Sequence, residues 1–286
     1  MTEKGGDPPV RPVIVNAAVF LAEVARSLVH RRRPEVGEVP RLGLDLGTTS
    51  LVMVVLGEGG RPLAAARRFA QVVRDGLVVD FDTARRLTAE MKAELEESLE
   101  AELTETALAV PPGTSVRDMA THRHVASGAG LEVTALTEEP YAANLVAGLR
   151  EGAIVDIGGG TTGVAVLREG RVVHSFDEAT GGVHLTLVLA GHFKISFEEA
   201  ERLKLDPARS TQVRPLVIPV LQKIGTIIRR GLAGWPAPEL GLVGGTAAAP
   251  GLEEIVSQET SRPARVLAHP LLVTPAGIAL SAFTDA

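Results

Sequence analysis

The chain has 286 residues, 45% of them hydrophobic and 22% charged, a composition that supports a buried core and excludes a disordered polymer. A formal net charge of -6 disfavours nucleic acid as a partner, and the lack of any cysteine removes disulfides, thiolate catalysis and cysteine-ligated zinc. The seven histidines form no His-Glu-x-x-His pattern, so surface or packing roles are expected of them.

Residues 1–12, with Gly5, Gly6, Pro8, Pro9 and Pro12, read as a loose tail. Val13, Ala17, Phe20, Leu21, Val24 and Leu28 recur at helical spacing and make one apolar stripe. Asn16, Glu23, Arg26 and Ser27 make this segment too polar to cross a bilayer, and the basic cluster Arg31–Arg33 follows it instead of preceding it as in a secretory signal. No transmembrane segment and no secretion are expected, which points to a cytoplasmic chain. Residues 31–40, polar and bearing two prolines, read as a linker, so residues 1–40 form a tail, an amphipathic helix and a linker appended to the main body.

From Arg41 the pattern becomes strand-like. Arg41–Asp45 and Leu51–Leu56 flank a Gly/Thr turn, and Arg61–Phe69 gives a third strand. A helix over Thr83–Leu103 carries Leu87, Met91, Leu95 and Leu99 in a row, with its glutamates mostly on the wet side. Ala107–Val110 reads as a buried strand; a helix, a strand at Leu131–Leu136 and a helix opening at Pro140 follow. The first pattern then recurs: Ala153–Asp156, a Gly/Thr turn, Gly163–Leu167, and a strand over Arg171–Phe176. Two copies with their aspartates 111 positions apart (156 − 45) predict duplicated lobes. Ser196-Phe-Glu-Glu199 is a capping box for a helix ending at Lys204. Helices over Pro215–Leu232 and Pro275–Phe283, with a strand and turn at Leu240–Thr246 between them, complete the chain.

The two turns carry the chemistry. In Asp45-Leu-Gly-Thr-Thr49, Gly47 lets the backbone turn tightly and approach a ligand, consecutive N–H groups can cup an anion, and the hydroxyls of Thr48 and Thr49 add donors. An aspartate at a strand end repels phosphate, but it can hold Mg²⁺ through water where the ion bridges phosphates. The second copy supplies Asp156, Gly158, Gly159, Gly160, Thr161 and Thr162 in the same order. Facing each other, the turns would clamp a polyphosphate–metal ion. Neither is a P-loop or a dinucleotide fingerprint, because no Gly-Lys-Ser/Thr closes them and each leads into a strand. A third motif, Leu242–Pro250, ends a strand in Gly244, Gly245 and Thr246, where a purine or ribose could lie against bare backbone.

Five segments in this order resemble the actin, Hsp70 and sugar-kinase ATPase superfamily. They are the phosphate turns at Leu44–Ser50 and Val155–Val166, the adenosine motif Leu242–Pro250, and the connecting helices Glu138–Gly148 and Thr274–Phe283. Within that superfamily the chain resembles the chaperone-like EutJ family of ethanolamine utilization. The carriers are Val73-Arg-Asp-Gly-Leu-Val-Val-Asp-Phe81, Pro111-Pro-Gly-Thr114, Asp177-Glu-Ala-Thr-Gly-Gly182, Leu187–Gly191 and Ile195–Glu201.

The resemblance implies an α/β fold of two actin-like, ribonuclease H-like lobes with reduced subdomains. Residues 41–150 would form the first lobe and 151–286 the second, with the last helix returning to the hinge. It implies ATP and Mg²⁺ as ligands, with Asp45, Glu139 and Asp156 as the catalytic acids. By the same resemblance Glu139 positions the attacking water, Gly181 and Gly182 lie near the phosphates, and Glu201 and Lys204 reach the ribose. Spacing alone makes Glu201 and Lys204 equally a solvated i,i+3 ion pair. Val183-His-Leu-Thr186 stands where many Hsp70-like members carry acids, and the insertion bearing their catalytic lysine is missing. By this comparison the second lobe's small subdomain is expected to shrink to one helical stretch, Pro215–Leu232, and no peptide-binding domain is expected after Ala286. Binding of ATP with slow hydrolysis is therefore expected.

The role implied is an accessory chaperone whose client is a B12-dependent ethanolamine ammonia-lyase, acting within or on a bacterial microcompartment. An actin-like filament protein is the first alternative, since Arg74-Asp-Gly76 and Glu139-Pro140 resemble that group too. A small-molecule kinase is the second, though no aspartate stands in a persuasive setting for a catalytic base. The N-terminal helix must bury its stripe, either on its own domain or on a partner. A partner-docking helix dispensable for ATP binding is the expectation adopted.

Overall fold

The computed structural model describes Pro12, residues 14–74 and residues 76–283. The tail before Pro12 and the stripe residue Val13 lie outside the described residues.

Helix α1 (Ala17–Ser27) is opened by Asn16, whose side chain accepts the Val19 N–H. Strands β1 (Arg41–Leu46), β2 (Ser50–Leu56) and β3 (Pro62–Phe69) form an antiparallel meander. A two-stranded hairpin, β4 (Val73–Arg74) and β5 (Leu77–Val78), leads to α2 (Phe81–Leu99). Next come β6 (Glu105–Val110), α3 (Val116–Gly128), β7 (Glu132–Glu138) and α4 (Glu139–Ala147). Strands β6 and β7 run parallel to β1, and the first sheet has the order β3-β2-β1-β6-β7.

The second sheet repeats the first. Strands β8 (Gly152–Ile157), β9 (Thr162–Arg168) and β10 (Arg171–Glu178) make the meander, followed by α5 (Gly182–Phe193), α6 (Phe197–Lys204) and α7 (Ser210–Gly231). Then β11 (Leu240–Val243), α8 (Leu252–Thr260), β12 (Ala264–Val266) and α9 (Pro270–Ser281) follow. The order is β10-β9-β8-β11-β12, with β11 and β12 parallel to β8. Even the register repeats: Asp45 opposes Val52, and Asp156 opposes Gly163, each residue displaced by the same 111 positions.

Strand alternation sorts the side chains into layers. On the outer face of the first sheet Leu44, Met53 and Val55 pack with Met91, Leu95 and Leu99 of α2. In the second lobe Val155, Val164 and Val166 pack with Val217, Leu221 and Ile224 of α7. Between the sheets lies a shared cluster that joins Val52, Val54 and Ala65 to Ile154, Leu167 and Val243 through α4 and α9. The two helices cross closely because Gly277 leaves room: a Cβ there would stand 1.8 Å from the Ala142 carbonyl oxygen.

Helix α1 belongs to that shared cluster. Phe20, Leu21 and Val24 are buried with Val54, Leu280 and Phe283, and the helix rests on β3 and α9. The following stretch is pinned as well. Arg31 pairs with Glu94 of α2, the Arg32 N–H donates to the Leu63 carbonyl at 2.8 Å, and Glu38 accepts from Arg61 at 2.7 Å. The expectation of a docking appendage on a free linker is thus corrected: the apolar stripe finds its partner within the chain.

Two predicted helix starts are also corrected. Helix α7 begins at Ser210 and α9 at Pro270, so Pro215 and Pro219 lie inside one and Pro275 inside the other. Each helix is already turning upstream, and each interior proline removes a backbone donor and crowds the carbonyl four residues back without ending the helix. Three helices, α5 to α7, lie between β10 and β11, where the sequence reading reduced the small subdomain to one stretch.

Candidate functional site

Both aspartate-led turns lie at the strand ends facing the groove between the sheets. They share one geometry: Gly47 N–H donates to the Ser50 carbonyl at 3.1 Å, and Gly158 N–H to the Thr161 carbonyl at 3.0 Å. The turns meet across the groove. A Cβ on Gly159 would stand 2.6 Å from Thr49 Cγ2, and one on Gly160 2.6 Å from Thr48 Oγ1. None of these turn glycines has a positive φ, so glycine is required for space between the lobes and not for a left-handed turn. The two turns are parts of a cavity of about 370 Å³, whose wall also includes Glu139, Glu201, Lys204 and Gly244–Thr246.

Three carboxylates gather at its floor. Burial pushes the Asp45 carboxyl up to about 7, and the neighbouring Asp156 adds to the rise. Asp156 is raised by burial, against which a 2.6 Å hydrogen bond donated by Thr274 Oγ1 acts. Glu139, at the first turn of α4, is raised well above the ordinary carboxylate range by burial, then by Asp156, Asp45 and Asp177. Among the described residues no three His, Cys, Asp or Glu side chains stand close enough to chelate a metal directly.

The other predicted residues take varied positions. Gly244 has φ +87° and passes so close to Asp156 that a Cβ would lie 2.3 Å from its Oδ1. Thr246 donates at 2.8 Å to the Gly158 carbonyl, which fixes the second turn from behind. Gly182 N–H and Val183 N–H donate to the Gly158 and Gly159 carbonyls at 2.9 and 2.8 Å, so the Gly181–Gly182 pair braces the turn and stays out of the cavity wall. Thr162 also turns away from the cavity: it is fully buried and donates to the Thr180 carbonyl at 2.7 Å.

Glu201 and Lys204 form a buried pair at 2.7 Å, not a solvated one. Thr186 Oγ1 donates to Glu201 at 2.5 Å, and Lys204 donates to the Gly182 carbonyl at 3.3 Å. Burial lowers the Lys204 pKa, Glu201 opposes that shift, and Arg67 adds to it. Thr274 and Arg67 are the site residues that sequence reasoning missed. Thr274 opens a small-residue stretch and Arg67 sits in an Arg-Arg pair at the end of a strand, so each carried only a faint signal.

Two like sheets, two connecting helices and a cleft closed by paired aspartate-led turns define the actin-like ATPase fold. The family models agree, with that of the cell division protein FtsA matching residues 153–279 and that of MreB/Mbl matching residues 65–200. At 19% identity and a TM-score of 0.68, MreB5 of Spiroplasma citri, in a structure bound to ADP, shares this fold over 85% of this chain and 95% of its own.

Closer similarity narrows the class. The ethanolamine utilization protein EutJ of Salmonella typhimurium is 39% identical over 250 residues, covering 87% of this chain and 88% of that protein. The crystal structure of EutJ from Carboxydothermus hydrogenoformans superposes with a TM-score of 0.86 at 42% identity, over 92% of this chain and 97% of that one. The chain belongs to the EutJ family of ethanolamine utilization proteins.

Proposed function

We propose that the chain binds ATP with Mg²⁺ between its lobes and uses lobe closure to hold or release a protein client. The observation that carries this reading is the meeting of Thr48 and Thr49 with Gly159 and Gly160 across the cleft, with Asp45 and Asp156 at its floor. The donor set suits a hard cation held through water: Asp45 and Asp156 crowd each other's charge, and the described residues offer no direct cage. When bound, Mg²⁺ neutralises polyphosphate charge. The chain's own contribution is to orient that charge between two backbone turns and to poise Glu139 beside it. Hydrolysis is slow in this reading.

The client proposed is the B12-dependent ethanolamine ammonia-lyase, within or on a bacterial microcompartment of the cytoplasm. Support comes from the ethanolamine utilization named in the relatives' descriptions. Among the described residues no helix is long and apolar enough to cross a membrane. A second reading, an actin-like filament, is favoured by the FtsA and MreB/Mbl matches.

Calorimetry with Mg²⁺ and ATP tests the site: Asp45→Ala and Asp156→Ala are expected to weaken binding, and unchanged affinity in both would sink the assignment. Capture of the lyase by the immobilised chain with ATP but not ADP supports the client reading. ATP-dependent sedimentation of the chain alone would replace it with the filament.

A further inference from the structure

The carboxylates at the cleft floor raise a charge problem for any polyphosphate ligand. Asp45, Glu139 and Asp156 converge there, and Asp177 is close enough to act on Glu139. Only two lysine or arginine side chains line the cleft among the described residues, Arg67 and Lys204. Lys204 is committed to Glu201, Thr186 and the Gly182 carbonyl. Arg67 makes no side-chain hydrogen bond or ion pair with any described residue, yet it forms part of the wall that holds both turns.

Strand register fixes where Arg67 points. The ladder sets Asp45 against Val52 and Val52 against Arg67, without a bulge between them. Residues directly opposite share a face, so Arg67 stands on the face of Asp45 two strands away, at about 10 Å. The next residue, Arg68, takes the other face and pairs with Glu94 of α2. Alternation thus divides the Arg-Arg pair, one for packing and one for the cleft. The Arg67 guanidinium also feels the second lobe: Glu201 opposes the lowering of its pKa, and Arg67 in turn lowers that of Lys204. A cation on the first lobe therefore faces the cleft beside the opposite lobe's buried pair.

We propose that Arg67 is a phosphate ligand, a guanidinium that grips the phosphate oxygens of a nucleoside polyphosphate held between the two turns. The inference rests on the nucleotide reading above. Arginine suits this place because it keeps its charge when enclosed and matches two phosphate oxygens at once. Its side chain and that of Asp45 line the same cavity. The other role open to it is a latch on Glu201 without any ligand contact, and the experiment separates the two.

ATP, ADP and adenosine are titrated into the wild-type chain, Arg67→Gln and Arg67→Lys with Mg²⁺ present, and each variant's melting temperature is measured without ligand. For Arg67→Gln the expected result is a loss of about 10- to 100-fold in ATP and ADP affinity, as for a lost charge-assisted hydrogen bond, with adenosine unaffected. Arg67→Lys is expected to fall between, since it keeps the charge and loses the fork; it carries the test if the glutamine variant does not fold. Equal losses for adenosine would assign Arg67 to the latch or the fold and overturn the proposal, as would full ATP affinity in Arg67→Gln. A wild-type chain that binds no ATP would remove the nucleotide reading itself, an outcome distinct from a wild-type chain that binds and a variant that binds equally well.

Discussion

The raised acids of the cleft predict that the protein's stability and its binding of Mg²⁺–ATP respond to pH in opposite senses. The Asp45 carboxyl is raised from an ordinary 3.8 to about 7, so its protonated form is the one the fold favours. Its contribution to stability is fully present below the ordinary value and is lost as pH rises through about 7; Glu139 and Asp156, also raised, add in the same sense. The melting temperature of the ligand-free chain is expected to fall between about pH 4 and pH 7, and Asp45→Asn to flatten that fall. Affinity for Mg²⁺–ATP is expected to rise over the same interval, because the ion needs ionised carboxylates. A melting temperature that rises with pH in this window would contradict the placement of the acids. Gly181 yields a second residue-scale prediction. A Cβ there would lie 2.7 Å from both the Gly158 and Gly159 carbonyl oxygens, so Gly181→Ala is expected to push the second turn out of place and abolish ATP binding while the chain still folds. Calorimetry beside a far-ultraviolet dichroism spectrum checks it. Much of the site was legible at this scale, since Asp45, Thr48, Asp156 and Gly160 belong to one pattern written twice. Arg67 and Thr274 were not, because each acquires its place only through strand register or through a helix that returns from the far end of the chain.

Among the elements, the crossing of α4 and α9 joins the lobes. Gly277 meets the Ala142 carbonyl, and Gly43 of β1 meets the backbone of Ala279, where a Cβ would stand 2.4 Å from the nitrogen. Backbone fills both approaches, so an added methyl has no flexible neighbour to displace. Gly277→Ala is expected to destabilise the chain by about 1–3 kcal/mol or more, as overpacking does. Urea unfolding checks this, and a variant of wild-type stability would show that the helices can separate without cost. The sequence signalled the close crossing through its small residues, but element boundaries were less legible where proline was taken as a start. Pro215 and Pro219 sit within α7, and Pro275 within α9, because burial of Val213 and Leu221, or of Leu272 and Val273, outweighs the missing donors and the crowding of the preceding carbonyls. Helix α5 gave no periodic signal: Val183, Leu185, Leu187, Val188 and Leu189 make it apolar all round, although Leu187 and Val188 end up exposed.

For the molecule as a whole, α1 decides whether the N-terminal segment is an accessory or a part of the core. Its sequence stripe was legible as a helix needing cover, and only the tertiary structure could say that the cover is β3 and α9. Leu21 and Val24 are fully buried, and Phe20 nearly so, in the cluster that includes residues of both sheets. Leu21→Ala is therefore expected to cost about 2–5 kcal/mol, the range for a large-to-small change in a core. Removing everything before Val39 is a larger change. It strips Phe20, Leu21 and Val24 from Leu280 and Phe283, and it takes away the Arg31–Glu94 and Glu38–Arg61 ties. Ala25 and Leu28 also belong to the cleft wall, so the deletion opens that wall. A chain beginning at Val39 is expected to melt well below the full chain, to aggregate on heating and to bind ATP more weakly. A peptide spanning residues 14–30, added in trans, is expected to restore part of the melting temperature, because the lost face is specific in shape. A shortened chain with full stability and full ATP affinity would show that α1 only rests on the molecule, free to leave it for a partner.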